Sequence, residues 1–202
     1  MKKSQNTYQF MLVLKNVDEN TSNLEDSLYE TGCNDALINF RNGTVYLDFD
    51  RKAASFEEAI KSAIKDVESA SVGAIVASVA PENLVTESEV AKRLQVKRQT
   101  VSLWIKGERR KSNPFPQPIM KLSDKSPFWK WREVVEWLYR NKSDRINKEI
   151  LEEARFLESL NLVLEELTSD ENLRNTREKL HKEFAKTRVR IGKQQVIHKR
   201  QN

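Results

Sequence analysis

The sequence predicts an α+β chain built from three structured parts. These are a small β-α-β-β-α-β domain over residues 1–81, a winged helix-turn-helix over 82–142, and a helical extension over 143–192; a basic, flexible tail over 193–202 follows. Three observations predict this. In the first eighty residues apolar positions alternate with period two in some stretches and recur at helical spacing in others. Near the middle, a capping-box signature opens the first of two short helices separated by a tight turn. After residue 146 an apolar residue returns every seven positions.

In the first part, Tyr8–Val17 reads as a buried strand, because β-formers run through it almost without a polar break. Asn20-Thr21-Ser22-Asn23 supplies a turn and a cap for a helix over Leu24–Thr31, with Leu24 and Leu28 inward and Gly32 as its stop. Ala36–Asn39 and Val45–Asp50 flank Asn42-Gly43, a strong hairpin signal. Val45, Leu47 and Phe49 alternate with Tyr46, Asp48 and Asp50, so one face of that strand is wet. Ser55 caps a helix to about Ser69 with Phe56, Ala59, Ile60, Ala63, Ile64 and Val67 on one face, and Val72–Val79 is the last strand. This order is the split βαβ pattern of ferredoxin-like folds. Asp48 and Asp50 share a strand face but have no third carboxylate or histidine nearby, so they read as solvent-facing residues rather than a metal pair.

In the central part, Thr86 caps a helix expected to begin at Ser88, with Glu89 completing the capping box and Val90, Ala91 and Leu94 inward. Gln95-Val96 makes the turn. A second helix from Lys97 to Lys106 carries Val101, Trp104 and Ile105 on its core side and ends at Gly107. Its other face presents Lys97, Arg98, Gln99, Thr100, Ser102 and Lys106. Arginine pairs with guanine edges, glutamine with adenine edges, and lysine with phosphates, so this face suits a duplex groove. Arg98, Gln99 and Ser102 are the expected base readers, while Lys97, Lys106, Arg109, Arg110, Lys111, Lys125 and Lys130 are expected along the backbone. Ile119–Leu122 and Phe128–Trp131 are expected to pair across Ser123–Ser126 as a hairpin wing. A last helix, Arg132 to Asn141, turns Val134, Val135, Trp137 and Leu138 inward, and the four tryptophans (104, 129, 131 and 137) are expected as core anchors.

The succession of a helix ending in Trp104-Ile105-Lys106-Gly107, then Phe115-Pro116-Gln117-Pro118, a short hairpin and Val134-Val135-Glu136-Trp137-Leu138 resembles the winged helix-turn-helix of the MerR and phage excisionase superfamily. The resemblance covers about residues 84–141. It implies DNA binding through the second helix and the wing, and no catalysis. The run Arg41–Asp50 followed by Ser55–Ile60 also looks like the front half of bacterial helix-turn-helix regulators.

Charge is distributed in blocks. Residues 1–80 carry eight Lys/Arg against twelve Asp/Glu, and residues 81–142 carry fourteen against seven. Residues 143–178 carry five against ten, and residues 179–202 eight against one. One basic block therefore coincides with the helix-turn-helix, the footprint of a duplex-binding module. The acidic front domain is expected to hold a protein partner or a second subunit. A single cysteine, Cys33, rules out an internal disulfide and a cysteine-built zinc cluster, and no cofactor or metal is expected. No apolar run is long enough for a secretory leader or a membrane span, so a cytoplasmic, nucleoid-associated protein is expected.

Beyond Ser143-Asp144, read as a cap, Ile150, Leu157 and Leu164 recur every seven residues, flanked by Ile146, Leu160 and Leu167 and interrupted by Glu153. This stripe must be buried against its own chain or a second copy, and dimerisation is expected because regulators of this kind use paired half-sites. A weaker helix follows over Asn172–Arg190. The expected function is a sequence-specific, double-stranded-DNA-binding transcriptional regulator. Alternatives are an antitoxin-like or adaptor protein that holds a partner, and an excisionase-like factor that bends DNA. An enzyme is not expected: Arg174 with His181 matches a small-ribonuclease pattern only loosely, and His198 has no such context.

Overall fold

The computed structural model describes residues 5–81, 83–109 and 113–199, with side chains to residue 186. It is an α+β chain with a four-stranded antiparallel sheet and, among the described residues, seven helices. The chain divides into two compact units, Met1–Leu164 and Glu165–Asn202.

The first unit opens with β1 (Asn6–Lys15), α1 (Leu24–Glu30), β2 (Ala36–Arg41), β3 (Thr44–Ala53), α2 (Phe56–Glu68) and β4 (Ile75–Ala80). The sheet order is β2-β3-β1-β4. Asn42 and Gly43 both have positive φ, 52° and 77°, which a two-residue turn between right-twisted strands requires. The period-two pattern then places Phe10 opposite Phe49 and Leu12 opposite Leu47, all buried. Ser55 accepts a hydrogen bond from the Glu58 N–H and starts α2, which buries Ala59, Ile60, Ala63 and Val67. The strand expected from Val72 begins only at Ile75, because Ala70–Gly73 turn first and Gly73 takes a φ of +70°.

An unforeseen feature is Arg51, only 6% exposed at the end of β3. Its five N–H groups donate to both Asp35 oxygens, Asp66 Oδ2, Ser62 Oγ and the Gly32 carbonyl, at 2.6–3.2 Å. The guanidinium also lies 4.9 Å from the Phe49 ring centroid. A buried arginine is tolerable only when every donor is satisfied, as here. Burial pushes the neighbouring Cys33 thiol up to about 11, against the opposing pull of Arg51.

The first unit continues with β5 (Leu84–Val85), α3 (Glu87–Arg93), α4 (Arg98–Ile105), β6 (Trp129–Lys130), α5 (Trp131–Arg140) and most of α6 (Lys148–Leu167). Asn147, not Ser143 or Asp144, caps α6, its Oδ1 accepting from the Ile150 N–H at 2.9 Å. Ser143 instead closes α5, donating its N–H to the Leu138 carbonyl. At about 1.5 Å per residue α6 is long enough to join two cores. Leu157 and Leu164 enter the core of the sheet. Ile146, Leu151 and Ala154 enter the core built around α3–α5. Ile146, Leu157 and Leu164 of the apolar stripe are therefore buried within the chain, while Leu162, Val163 and Leu167 of α6 stay exposed, and residues 143–164 fall in the first unit. Glu153, the interruption of the repeat, is half-buried, and burial followed by repulsion from Glu149 raises its carboxyl.

Asn161 explains how α6 meets the sheet. Its Oδ1 accepts from the Val79 N–H at 2.7 Å and its Nδ2 donates to the Val79 carbonyl at 2.8 Å. One side-chain amide thus satisfies the outward backbone of edge strand β4 as a neighbouring strand would.

In the second unit α7 (Glu171–Lys199) is 29 residues long and starts with Asp170 accepting from the Leu173 N–H. It runs past Arg190, where the sequence placed its end, through most of the segment expected as a flexible tail; residues 200–202 lie outside the described residues.

Candidate nucleic-acid interface

The site is assembled from the bottom by its caps. Thr86 Oγ1 accepts from the Glu89 N–H while Glu89 Oε2 accepts from the Thr86 N–H at 2.6 Å, closing the capping box. The backbone hydrogen bond from Thr86 is the main reason the Glu89 carboxyl is lowered. Helix α3 starts at Glu87, one residue before the expected Ser88. Leu94 ends it, Gln95 takes φ +52°, and the Val96 N–H reaches back to the Ala91 carbonyl. Arg145 donates to the Leu94 carbonyl at 3.0 Å, so a residue fifty-one positions away seals the end of α3.

Helix α4 follows with Val101 and Trp104 buried. Lys97 and Lys106 flank it as caps, and Gly107 ends it with φ +69°. Four aromatic rings fix its orientation. Trp104 lies 5.6 Å from Trp137 and 6.5 Å from Phe115, and Phe115 lies 5.0 Å from Trp137 and 6.1 Å from Trp129. Trp129 Nε1 donates to the Pro116 carbonyl and Trp137 Nε1 to the Asn113 carbonyl, which pins the proline-spaced loop over the core. Trp131 is half-buried, with the Arg93 guanidinium 5.1 Å from its ring centroid.

The hairpin differs from the expectation. Ile119 and Met120 bond to Phe128 through two backbone hydrogen bonds, and the pairing stops there. Lys121 takes φ +51°, and beyond Phe128 the chain turns to a different partner. Trp129 and Lys130 form β6 and pair with Val85 and Leu84 of β5. A strand preceding α3 thus replaces most of the anticipated partner, leaving Lys121–Ser126 as a loop.

The sequence-derived residues separate accordingly. Lys97, Arg98, Gln99 and Lys106 are exposed along one side of α4, with Thr100 and Ser102 half-buried beside them. Arg109 and Lys125 are exposed in the flanking loops, as is Lys121, which the sequence reading did not single out. Arg98 is not wholly free: Glu87 of α3 lies 3.5 Å from its Nε. Arg110 and Lys111 lie outside the described residues. Lys130 is half-buried and pairs with Glu158 of α6 at 3.0 Å, apart from the exposed cations.

That pair belongs to a network the sequence did not reveal. Glu158 also receives Arg132, and Arg132 and Arg155 both reach Glu136 at about 3 Å. Burial would raise Glu158 and Glu136, yet both end lowered. Arg132 and Lys130 outweigh burial at Glu158, and Arg155 and Arg132 do so at Glu136. The network ties α5 and β6 to α6.

No family model, curated protein or solved structure matches this chain. Among the described residues no group of three or more His, Cys, Asp or Glu is placed to hold a metal, and no helix is long and apolar enough to cross a membrane. Arg174 and His181 are both exposed on α7; the side chain of His198 lies outside the described residues.

Proposed function

We propose that the chain is a sequence-specific double-stranded-DNA-binding regulator, with α3 and α4 as a helix-turn-helix and the loop after Met120 as a reduced wing. The front domain is read as ferredoxin-like. The observation that carries this is α4 itself. Two large core residues clamp it, and its outward face carries exposed Gln99 and Lys106 with half-buried Ser102 between them, exposed Arg98 at the edge of that face and Lys97 at the N-terminal end. No side chain caps its first turn, which leaves amide N–H groups suited to a phosphate. The nearby exposed cations Arg109, Lys121 and Lys125 extend the basic surface. A protein of this kind acts on the chromosome, consistent with the expectation of a nucleoid-associated location.

Dimerisation is part of this reading, and it falls to α7 rather than α6. Ile146, Leu157 and Leu164 are buried within the chain, whereas Leu173, Leu180 and Phe184 are exposed along α7 at helical spacing, as are Leu162, Val163 and Leu167 at the end of α6. Binding of duplex DNA by the full chain between 50 and 200 mM salt tests the assignment. Gln99→Ala is expected to relax preference at one base position at a cost of about 1–3 kcal/mol. Lys106→Ala is expected to weaken all sequences alike and lower the salt slope by about one ion. Equal losses from both variants on every sequence would remove Gln99 as a base reader.

A further inference from the structure

The two edges of the sheet are treated differently. Asn161 closes β4, but β2 ends the strand order on the other side with no neighbouring strand among the described residues. In an antiparallel hairpin closed by the Arg41–Thr44 pair, alternate residues turn their backbone groups outward. These are Ala36, Ile38 and Phe40. The Ala36 N–H is taken by the Cys33 carbonyl, so the outward pairs on offer are those of Ile38 and Phe40. Edge strands usually carry a lysine, a proline or a bulge that discourages pairing. The stretch Ala36–Phe40 has none of them, and its register with β3 is unbroken.

Side chains beside this edge make a groove rather than a flat rim. Two hollows, of about 360 and 300 Å³, lie between α1 and β2 and share Glu25 and Asp26. Tyr29 and Leu37 line the first, Glu19 and Phe40 the second. Tyr29, Leu37 and Phe40 are 68%, 66% and 42% exposed, a concentration of large apolar groups at one edge. The charged residues that line the two hollows have one sign, Glu19, Glu25 and Asp26 all being exposed acids, and the exposed Arg41 at the end of β2 lines neither.

We infer that the α1–β2 groove binds an extended, lysine- or arginine-bearing segment of a partner protein, which adds as a fifth strand on β2. Backbone pairing with Ile38 and Phe40 supplies affinity, and the alternation of a strand supplies the rest. Apolar side chains of the segment would settle on Leu37, on the open face of the sheet, while its cations, on the opposite face of the added strand, meet Glu25 and Asp26 with their aliphatic stems along Phe40 and Tyr29. A second copy pairing β2 to β2 is the less suitable occupant, because a two-fold axis there would bring acidic α1 helices together. The groove lies in the front domain and does not depend on DNA binding by α4.

The experiment uses the full-length chain and three labelled eight-residue peptides. One alternates valine with lysine, one has glutamate in place of lysine, and one is the lysine peptide N-methylated at alternate residues. Fluorescence anisotropy gives affinities, and amide hydrogen exchange gives the site. The lysine peptide is expected to bind at least tenfold more tightly than both others and to slow exchange at Ile38 and Phe40. The double variant Glu25→Gln/Asp26→Asn, on exposed positions and checked for folding by circular dichroism, is expected to lose at least fivefold. Equal binding of the glutamate peptide would overturn the inference, as would binding without protection at Ile38 and Phe40. So would protection of those amides without peptide that rises with protein concentration, since the second copy would then be the occupant.

Discussion

Replacing Asn161 with alanine removes the only side chain among the described residues that bonds to the Val79 backbone, and Val79 is 1% exposed. Water has little access to the orphaned N–H and carbonyl, and each such group costs about 1–3 kcal/mol when left unsatisfied. Two groups give about 2–5 kcal/mol after partial relaxation, with a few tenths more for lost packing. For a unit of this size, about 2–4 °C per kcal/mol makes the expected fall in Tm roughly 5–15 °C. Asn161→Asp separates the two bonds. A carboxylate still accepts from the Val79 N–H but confronts the Val79 carbonyl, whereas a protonated carboxyl restores a donor. Folding therefore raises the pKa of the introduced acid. The variant should approach wild-type stability below the ordinary carboxylate range and lose it as pH rises through that range. Urea unfolding at pH 4 and pH 7, with hydrogen exchange at Val79, reads both effects. A loss below about 0.5 kcal/mol for Asn161→Ala, with Val79 exchange unchanged, would refute the claim that this amide completes the sheet edge.

Other parts of the structure give equally definite expectations. Glu158→Gln should destabilise by about 1–3 kcal/mol at neutral pH, because Lys130 and Arg132 lose their shared partner. Since folding lowers the Glu158 carboxyl, wild-type stability should fall as pH drops through the folded pKa, and the variant should show a shallower acid decline in urea midpoints. Trp104→Ala should cost about 3–5 kcal/mol and abolish DNA binding together with the near-ultraviolet signal of the aromatic cluster. With its thiol at about 11, Cys33 should react with a thiol reagent at pH 8 at least a hundredfold more slowly in the folded chain than in urea. Comparable rates would show that the thiol is not buried as described.

The elements readable from sequence are those whose cause is local. Thr86 with Glu89, Ser55 with Glu58 and Asn42-Gly43 each act within three residues, so their caps and turn appear nearly where expected. The alternation of Val45, Leu47 and Phe49 identifies the buried face for the same reason. Long-range pairings were not legible. The α6 repeat requires a buried face but does not say which surface buries it, and two different cores share it. The pairing of β6 with two residues before α3 depends on how the chain closes, since Trp129 and Lys130 alone suit either partner. The pairing of Lys130 was not legible because its partner Glu158 stands twenty-eight residues away on another element. Arg51 gave no signal at all, lying next to Asp50 in an outwardly polar stretch while its partners come from α2 and the turn before β2. The outward face of α4 was legible because a helical period places Gln99, Ser102 and Lys106 opposite Val101 and Trp104 without help from elsewhere.

The central claim is that α4 reads duplex DNA, and sequencing the fragments that purified full-length protein retains from a random pool at physiological salt tests it most directly. One enriched site is expected, with the enrichment at a single base position relaxed in Gln99→Ala. A retained pool with the same sequences as the input, for wild type and variant alike, would contradict it.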